Sequence, residues 1–500
     1  MLHVYDQDKT PMVNHTHSLA ALSGIVNENL CHNCGTCIGL CPAGVLEVSG
    51  GGNRFVSLNT GCIDCGTCVK VCPGARFNEQ ECSDRLWGIN DERTHPVGRV
   101  MQGWLGYAAR TSVRCRGASG GVVTGLLLSL LAEGRIDGAV VVGQDTKVPW
   151  RSAARLVRKP EEILAAANSR YATAPTGAVF SEILKTPGRY AFVGLPCQLH
   201  GFHNACRVNK TIRERVKLVI GLFCHAAVEQ EAFHLLWEWW GEDKKKVEGF
   251  QYRQGKPAGD VVVNFTNNTS RPFLFSAKSG YRPNIIELMN VLYRLYSQPR
   301  CMTCYDATAL FADISVGDPW GIPAPTNIDY SEGYSCILAR TVTGKEALDQ
   351  AMKAGDLFCT PLNHTQMHMA NQDMAHAKER RAFRLIGRLR ARGRRTPEYG
   401  FDAQSLTPRQ KLGADMDILF RSFSLHKFGR RGLLRMMLSP IGYWLFKLNH
   451  WRRQIKPWLR RHTTKSIRRM NRKTAFGFLL PHSFELESWQ EAILSASSFF

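Results

Sequence analysis

Cys31-His-Asn-Cys34-Gly-Thr-Cys37-Ile-Gly-Leu-Cys41-Pro42 is repeated as Cys62-Ile-Asp-Cys65-Gly-Thr-Cys68-Val-Lys-Val-Cys72-Pro73. Each copy reads C-x2-C-x2-C-x3-C-P. The two-residue spacings let one loop carry three thiolates around three corners of a cubane, and the proline ends the loop as the fourth cysteine turns away. Gly35 and Gly66 keep the backbone clear of inorganic sulfide.

Such a run is the ligand pattern of two-cluster bacterial ferredoxins, where the fourth cysteine of one run serves the cluster of the other. The pairing predicted is Cys31, Cys34, Cys37 and Cys72 around one [4Fe–4S] centre, and Cys62, Cys65, Cys68 and Cys41 around a second. Paired C-x2-C also serves zinc, but two complete runs with both prolines argue against it.

The surrounding chain has 500 residues, enough for two or three domains with a large core. Most of its 17 cysteines lie in tight repeated spacings rather than scattered as in a disulfide framework, which points to a reducing cytoplasm. The N-terminus lacks the basic start and apolar run of a secretory signal. The best candidate for a membrane span, Gly432 to Leu448, is broken by Arg435 and Pro440.

Four regions are expected. Residues 1–27 read as a polar, unpatterned segment and 28–97 as the ferredoxin-type unit. Residues 98–375 alternate β-branched runs with helical stretches, an α/β core. Strands are predicted at Gly138–Val142, Tyr190–Val193, Lys217–Gly221 and Ile314–Val316, and helices at Leu126–Leu131 and Phe233–Trp240. Residues 376–500 read as a mainly helical, basic extension. The fold class is therefore α+β.

Four further cysteines fall at informative places in the core. Cys197, in Gly194-Leu-Pro-Cys-Gln198, and Cys224, in Phe223-Cys-His225, each follow a predicted strand, where open α/β sheets bind cofactors. Cys301-Met-Thr-Cys304 adds a C-x2-C pair. The four could converge on a third cluster, or Cys197 and Cys224 could be ordinary buried cysteines. Cys82, Cys115, Cys206, Cys336 and Cys359 have no ligand spacing and read as structural.

With Arg116-Gly-Ala-Ser-Gly-Gly121 ahead of an apolar helix, Ala312-Asp-Ile-Ser-Val-Gly-Asp-Pro-Trp-Gly321 and Glu332-Gly-Tyr-Ser335, these motifs make residues 28–345 resemble the family of coenzyme F420 hydrogenase/dehydrogenase beta subunits. The resemblance implies an FAD- and [4Fe–4S]-dependent oxidoreductase, in which the flavin exchanges a hydride with a small organic two-electron substrate and single electrons with the clusters and a redox partner protein. It implies Cys197, Cys224, Cys301 and Cys304 as ligands of a third cluster beside the flavin, and it includes relatives associated with polysaccharide synthesis.

By the same resemblance, Ser119, Gly120 and Gly121 offer N–H groups at a helix start to a diphosphate, with Thr124 nearby and Ser169 and Tyr171 as further FAD contacts. Arg170 stands where relatives carry Lys. Asp313, Asp318 and Trp320 are placed in a loop after a strand, as cofactor-orienting or merely turn residues. His225 reads as a proton relay or a plain loop histidine. No catalytic residue is assigned.

Between Lys378 and Lys473 stand 27 Lys and Arg against 5 Asp and Glu, which accounts for the whole formal net charge of +22. Interleaved with Trp444, Phe446, Trp451 and Trp458, they suit an anionic membrane surface at the inner face of the membrane, or a partner protein. Phosphate contacts would need the same residues, but no nucleic-acid motif accompanies them. Besides the enzyme, the sequence admits a non-catalytic electron-transfer subunit of a larger redox complex.

Overall fold

The tandem cysteine runs fold as tandem backbones. In the computed structural model, which describes residues 17–448 except 49–54, 58–60, 89–94, 257–258, 274–284, 402–404, 427, 443 and 446–447, each run enters a short helix, Thr36–Gly39 and Thr67–Lys70. The residue before each helix is glycine in the left-handed region, Gly35 at φ 80° and Gly66 at φ 71°. Asn33 and Asp64, the third residues of the two runs, are left-handed as well, at φ 57° and 53°. Side chains other than Gly, Asn and Asp rarely tolerate that region. Gly35 is also crowded: a Cβ there would lie 2.7 Å from the Pro175 side chain. A two-stranded hairpin, β1 (Leu46–Val48) and β2 (Phe55–Ser57), links the runs.

The residues before the runs are not unpatterned. His17–Asn27 is a helix that buries Leu19, Leu22 and Ile25. Their three-residue spacing is one narrow apolar stripe, easily lost among polar neighbours.

Among the described residues the core sheet has eight strands: β3 (Gln102–Ala108), β4 (Gly138–Gln144), β5 (Ser152–Val157), β6 (Tyr190–Gly194), β7 (Val216–Leu222), β11 (Ile314–Gly317), β12 (Ser335–Ala339) and β13 (Leu357–Pro361). Their order is β13-β3-β12-β11-β7-β6-β4-β5. The four central strands, β11, β7, β6 and β4, run parallel, and the flanking pairs are antiparallel. The central strands are the ones predicted. Covered on both faces, they read as continuous apolar runs, whereas β3 and β13 at one side carry Gly, Tyr, Thr and Pro and give little signal.

One face of the sheet is covered by helices Val122–Ala132 and Val342–Lys353. Leu126, Leu127 and Leu130 are fully buried there, each worth roughly 1.5–3 kcal/mol. The other face carries helix Pro196–Val208, and over it the cysteine unit: Leu199, Phe202 and Ala205 share one core with Leu19, Leu22, Ile25 and Val71. This packing brings the repeated cysteine runs to the carboxyl ends of β6 and β7.

A second, aromatic core lies beside the sheet. Antiparallel β8 (Val247–Gln254), β9 (Asp260–Phe265) and β10 (Ser270–Pro272) pack with helices Gln230–Trp240 and Ile285–Leu295 around Trp237, Trp240, Phe250 and Phe273.

The basic C-terminal region turns back onto both units. Helix Gln372–Arg390 packs against helix Pro408–Phe420. Residues Glu398 and Tyr399 accept backbone hydrogen bonds from Phe77 and Glu79, and Leu434 of helix Arg430–Met437 enters the aromatic core. Many of its cations are already partnered: Arg384 and Arg388 meet Asp415, and Arg381 and Arg421 meet Asp417. Phe446, Trp451, Trp458 and the basic residues beyond Leu448 lie outside the described residues. No helix among the described residues is long and apolar enough to cross a membrane.

Candidate functional site

Gly35 and Gly66 turn the two loops, and the fourth cysteine of each run lies with the first three of the other. Cys37 faces Cys34, Cys72 and Cys31, and Cys68 faces Cys65, Cys41 and Cys62. Cys37 also faces Cys68, so the two sets adjoin. Cys34, Cys37 and Cys72 are buried, while Cys65 is exposed beside Ile63. The Thr36 and Thr67 hydroxyls lie 3.5 Å from Cys34 Sγ and 3.3 Å from Cys65 Sγ, the same contact in both repeats.

The third set gathers from four places. Cys197 lies at the start of helix Pro196–Val208, just after β6, and Cys224 two residues after β7. Cys301 and Cys304 come from the turn around Pro299–Thr303. Cys197 faces Cys304, Cys224 and Cys301, and then Cys34 of the first set. All four line one enclosed cavity of ≈ 20 Å³ with His32, Arg300 and Lys378. The Ala227 N–H donates to Cys301 Sγ at 3.4 Å.

Burial pushes the Cys224 and Cys72 thiols up to about 12. As free thiols they would be protonated and inert, so thiolates here need positive charge close by. That charge is present. Lys378 Nζ donates to the Cys224 and Asp306 carbonyls at 2.9 and 2.6 Å, and Arg300 donates to Thr303 Oγ1 and Tyr399 Oη at 2.7 and 2.9 Å.

Neither cation meets a carboxylate at ion-pair distance among the described residues. Buried cations are costly; the Asp306 carboxylate lies near enough to Lys378 to offset part of its charge, and a cluster with four thiolate ligands is an anionic group that would offset the rest. Both ring nitrogens of buried His32 also lack a partner. The donor set, four thiols with two buried cations beside them, therefore suits an iron–sulfur cluster. No three His, Cys, Asp or Glu side chains among the described residues are gathered as for one metal ion; a cubane instead spreads its four thiolates over separate irons.

A larger cavity, ≈ 450 Å³, opens at the carboxyl ends of β6, β7 and β11, the place where open α/β sheets bind ligands. Ser119, Gly121, Thr124, Ser169, Tyr171 and His225 line it, and Cys224 is shared with the third cysteine set. Helix Val122–Ala132 points its buried N-terminus, with its free N–H groups, at this space.

Gly120 does not line the cavity. Its N–H donates to Ser335 Oγ at 3.0 Å, and a Cβ there would lie 2.4 Å from the Gly106 carbonyl, so it seats the loop against β3. On the cavity wall, Arg253 makes a two-pronged pair with Asp318 at 2.8 and 3.1 Å, Trp320 Nε1 donates to Asp318 Oδ2 at 3.1 Å, and Asn371 Nδ2 donates to the Asp318 carbonyl at 2.9 Å. Arg170 Nη1 donates to the Phe250 carbonyl at 2.7 Å. The helix N-terminus and polar side chains on this wall are donors of the kind a diphosphate-bearing ligand needs.

Asp313 departs from its expected place. It precedes β11 rather than following it, and its carboxylate accepts from the Val219 N–H and the Thr341 hydroxyl at 2.8 and 2.6 Å. It closes a strand junction and takes no part in the cavity. Asp318 and Trp320 do follow the strand. Cys82, Cys206 and Cys336 are buried outside the three sets, Cys359 is partly buried in β13, and Cys115 is exposed.

Lys378, Arg300, His32, Arg253 and Asn371 belong to the site and escaped the sequence reading. Lys378 was hidden among surface-like basic residues, and Arg253 lies in a strand with no motif. Only His32, inside the first cysteine run, carried a local signal.

Comparison with known proteins identifies a family for this chain. The profile for the C terminus of the coenzyme F420 hydrogenase/dehydrogenase beta subunit matches residues 188–365, its N-terminal counterpart matches 104–181, and a 4Fe–4S dicluster domain matches 23–73. The coenzyme F420-dependent sulfite reductase of Methanocaldococcus jannaschii is 27% identical over 342 residues, 65% of this chain and 46% of that protein. This chain thus spans about half the length of that relative.

The beta subunit of the coenzyme F420 hydrogenase of Methanothermobacter thermautotrophicus is 25% identical over 303 residues, 56% of this chain and 91% of that one. The F subunit of the F(420)H(2) dehydrogenase of Methanosarcina mazei is 24% identical, covering 68% and 87%. A chain of the F420-reducing [NiFe] hydrogenase complex from Methanosarcina barkeri superposes with a TM-score of 0.47 at 20% identity, over 60% of this chain and 96% of that one. With the two halves of one family's profile matching more than half of its length in order, behind a 4Fe–4S dicluster unit, the chain belongs to the family of coenzyme F420 hydrogenase/dehydrogenase beta subunits.

Proposed function

We propose that this chain is the flavin- and iron–sulfur-containing redox subunit of a larger complex, moving electrons between a small organic two-electron substrate and a partner protein. One observation carries the reading: four sites adjoin in a row. The ≈ 450 Å³ cavity shares Cys224 with the third cysteine set, Cys197 of that set lies near enough to Cys34 of the first for their charges to interact, as Cys37 of the first does to Cys68 of the second, whose Cys65 reaches the surface. When bound, FAD would supply the conversion between a hydride and single electrons, and [4Fe–4S] clusters the single-electron relay.

The chain's own groups have distinct tasks in this reading. The Ser119–Thr124 loop and helix start would hold the flavin's diphosphate. The Arg253–Asp318 pair, Trp320 and Asn371 would keep the opposite wall in one geometry, and Tyr171, buried between Ser169 and Arg253, would fix the side of the cavity. Cys31, Cys34, Cys37 and Cys72, then Cys62, Cys65, Cys68 and Cys41, then Cys197, Cys224, Cys301 and Cys304 would hold the three clusters.

The names of the related proteins make reduced coenzyme F420 the first substrate to try, before nicotinamide donors. The test is iron, sulfide and acid-released flavin per chain after anaerobic purification, then rapid mixing with reduced F420. About twelve iron with one FAD, and bleaching of cluster absorbance on mixing, is the expected result. About eight iron without flavin would overturn it in favour of a plain electron carrier.

A further inference from the structure

We propose that Lys378 and Arg300 set the reduction potential of an iron–sulfur centre held by Cys197, Cys224, Cys301 and Cys304, so that the C-terminal helix Gln372–Arg390 tunes the redox chain from outside the family's shared core. This rests on the cluster reading above.

Three observations lead here. Lys378 is 2% exposed and Arg300 1%, and both line the small cavity with the four cysteines. A cation so deeply buried is unavailable to a membrane or to nucleic acid, the roles its basic neighbourhood suggests. Second, each is fixed by neutral oxygen acceptors: Lys378 by the carbonyls of Cys224 and Asp306, Arg300 by Thr303 Oγ1 and Tyr399 Oη. Neither charge is neutralised by an ion pair, and although the buried Asp306 carboxylate also feels Lys378, both cations act on the cysteines. Arg381 differs: although buried and donating to the Cys301 carbonyl at 3.3 Å, it is paired with Asp417 at 2.8 Å.

Third, Lys378 lies beyond residue 365, where the family match ends, and helix Gln372–Arg390 is held in place independently of the cysteines by Asp415 and Asp417. Lys378 thus comes from the C-terminal region, outside the matched residues, while Arg300 lies within them.

The physics is electrostatic. Uptake of one electron makes the centre more negative, with no bond formed or broken and Lys378 keeping its proton. A nearby buried cation favours that reduced form, because low local polarity leaves it poorly screened, and cluster potentials follow net charge and hydrogen bonding. The electron comes from the flavin cavity or from the adjacent cysteine set; in the test below it comes from dithionite.

The test is an EPR-monitored redox titration of the anaerobically purified full chain, the signal of this centre being identified by its loss in Cys301→Ser. Lys378→Gln, which keeps a donor for the two carbonyls, is expected to make reduction of this centre at least tenfold less favourable, 59 mV for a one-electron couple. Arg300→Gln should act in the same direction, and Lys378→Arg should stay within twofold of wild type. A less than twofold change, about 18 mV, in Lys378→Gln or Arg300→Gln with the cluster retained overturns the proposal.

Where both Gln variants lose about four irons yet keep their helical circular dichroism, recovery of the irons in Lys378→Arg and Arg300→Lys supports the charge argument, and failure to recover them overturns it. A wild-type chain with no third centre removes this proposal together with the cluster reading, whereas an unchanged potential in a chain that has the centre removes this proposal alone.

Discussion

Arg421 donates from Nη2 to Nε2 of His225 at 2.7 Å, so a side chain from the C-terminal region holds the ring that follows Cys224. Burial, reinforced by the Arg421 charge, keeps His225 well below the usual histidine range. A ring that accepts at Nε2 while neutral carries its proton on Nδ1. The same guanidinium donates to Asp417 at 2.8 Å and to the Tyr293 carbonyl at 3.1 Å. Three segments far apart in sequence are therefore tied at the cavity wall.

Removing that tie should be costly. Arg421→Gln leaves Asp417 with one cation and is expected to lower unfolding stability by about 3 kcal/mol. Arg431→Gln breaks only the exposed pair with Glu238 at 3.0 Å and should change stability by less than about 1 kcal/mol. Urea denaturation of the two variants side by side checks this; equal effects would show that the Arg421 network is not integral to the fold.

The cysteines divide by role. Cys197→Ser or Cys301→Ser should lower the iron content by about four per chain, whereas Cys336→Ser, buried in β12 away from the three sets, should leave it unchanged. Iron and sulfide analysis reads both. Full iron content in Cys301→Ser would remove Cys301 from the ligand set.

Two glycines should respond in opposite directions. Gly120→Ala places a Cβ 2.4 Å from the Gly106 carbonyl, in backbone that has no room to move, and should destabilise the chain by at least about 1–3 kcal/mol while reducing flavin content. Gly387 lies within helix Gln372–Arg390, with nothing within 4 Å of an added methyl group; Gly387→Ala should stabilise by about 0.5–1 kcal/mol. Thermal unfolding and released flavin distinguish the two.

A pH dependence follows from His203. Burial, then the Arg85 guanidinium, lowers it from 6.5 to about 3, and its ring is used at both ends, facing the Phe311 carbonyl at 2.7 Å and Arg85 at 3.0 Å. The unfolded chain takes up this proton near 6.5 and the folded chain only near 3. Stability is therefore lost as pH falls from 6.5 towards 3, at no more than about 1.4 kcal/mol per pH unit from this side chain. His203→Gln should show a shallower decline in denaturation midpoint between pH 7 and 5; an identical slope would assign the effect to other groups.

The most legible parts of the chain were those whose chemistry is local. Cysteine ligation imposes spacing, and left-handed loop positions impose Gly35, Gly66, Asn33 and Asp64, so both runs are readable residue by residue. Strands β4, β6, β7 and β11 are readable because burial on both faces makes them apolar throughout. The cavity loop was legible through Ser119 and Gly121, though Gly120 proved to serve packing, a matter of which way its N–H points. Of the small aromatic unit only helix Phe233–Trp240 was read; its strands were not, β8 being broken by register shifts between Val247 and Gly249 and between Gln251 and Gln254.

By itself the sequence determined that two cysteine runs stand before a parallel α/β core, since fixed spacings and apolar runs are properties of neighbouring residues. Only the tertiary structure decided that Cys197, Cys224, Cys301 and Cys304 share a cavity, that Cys197 lies near Cys34, and that Lys378, one cation among many in a basic helix, is buried against that cavity. Those relationships join residues tens to hundreds of positions apart, and what selects them is the packing of helices onto the two faces of one sheet, which no local spacing records.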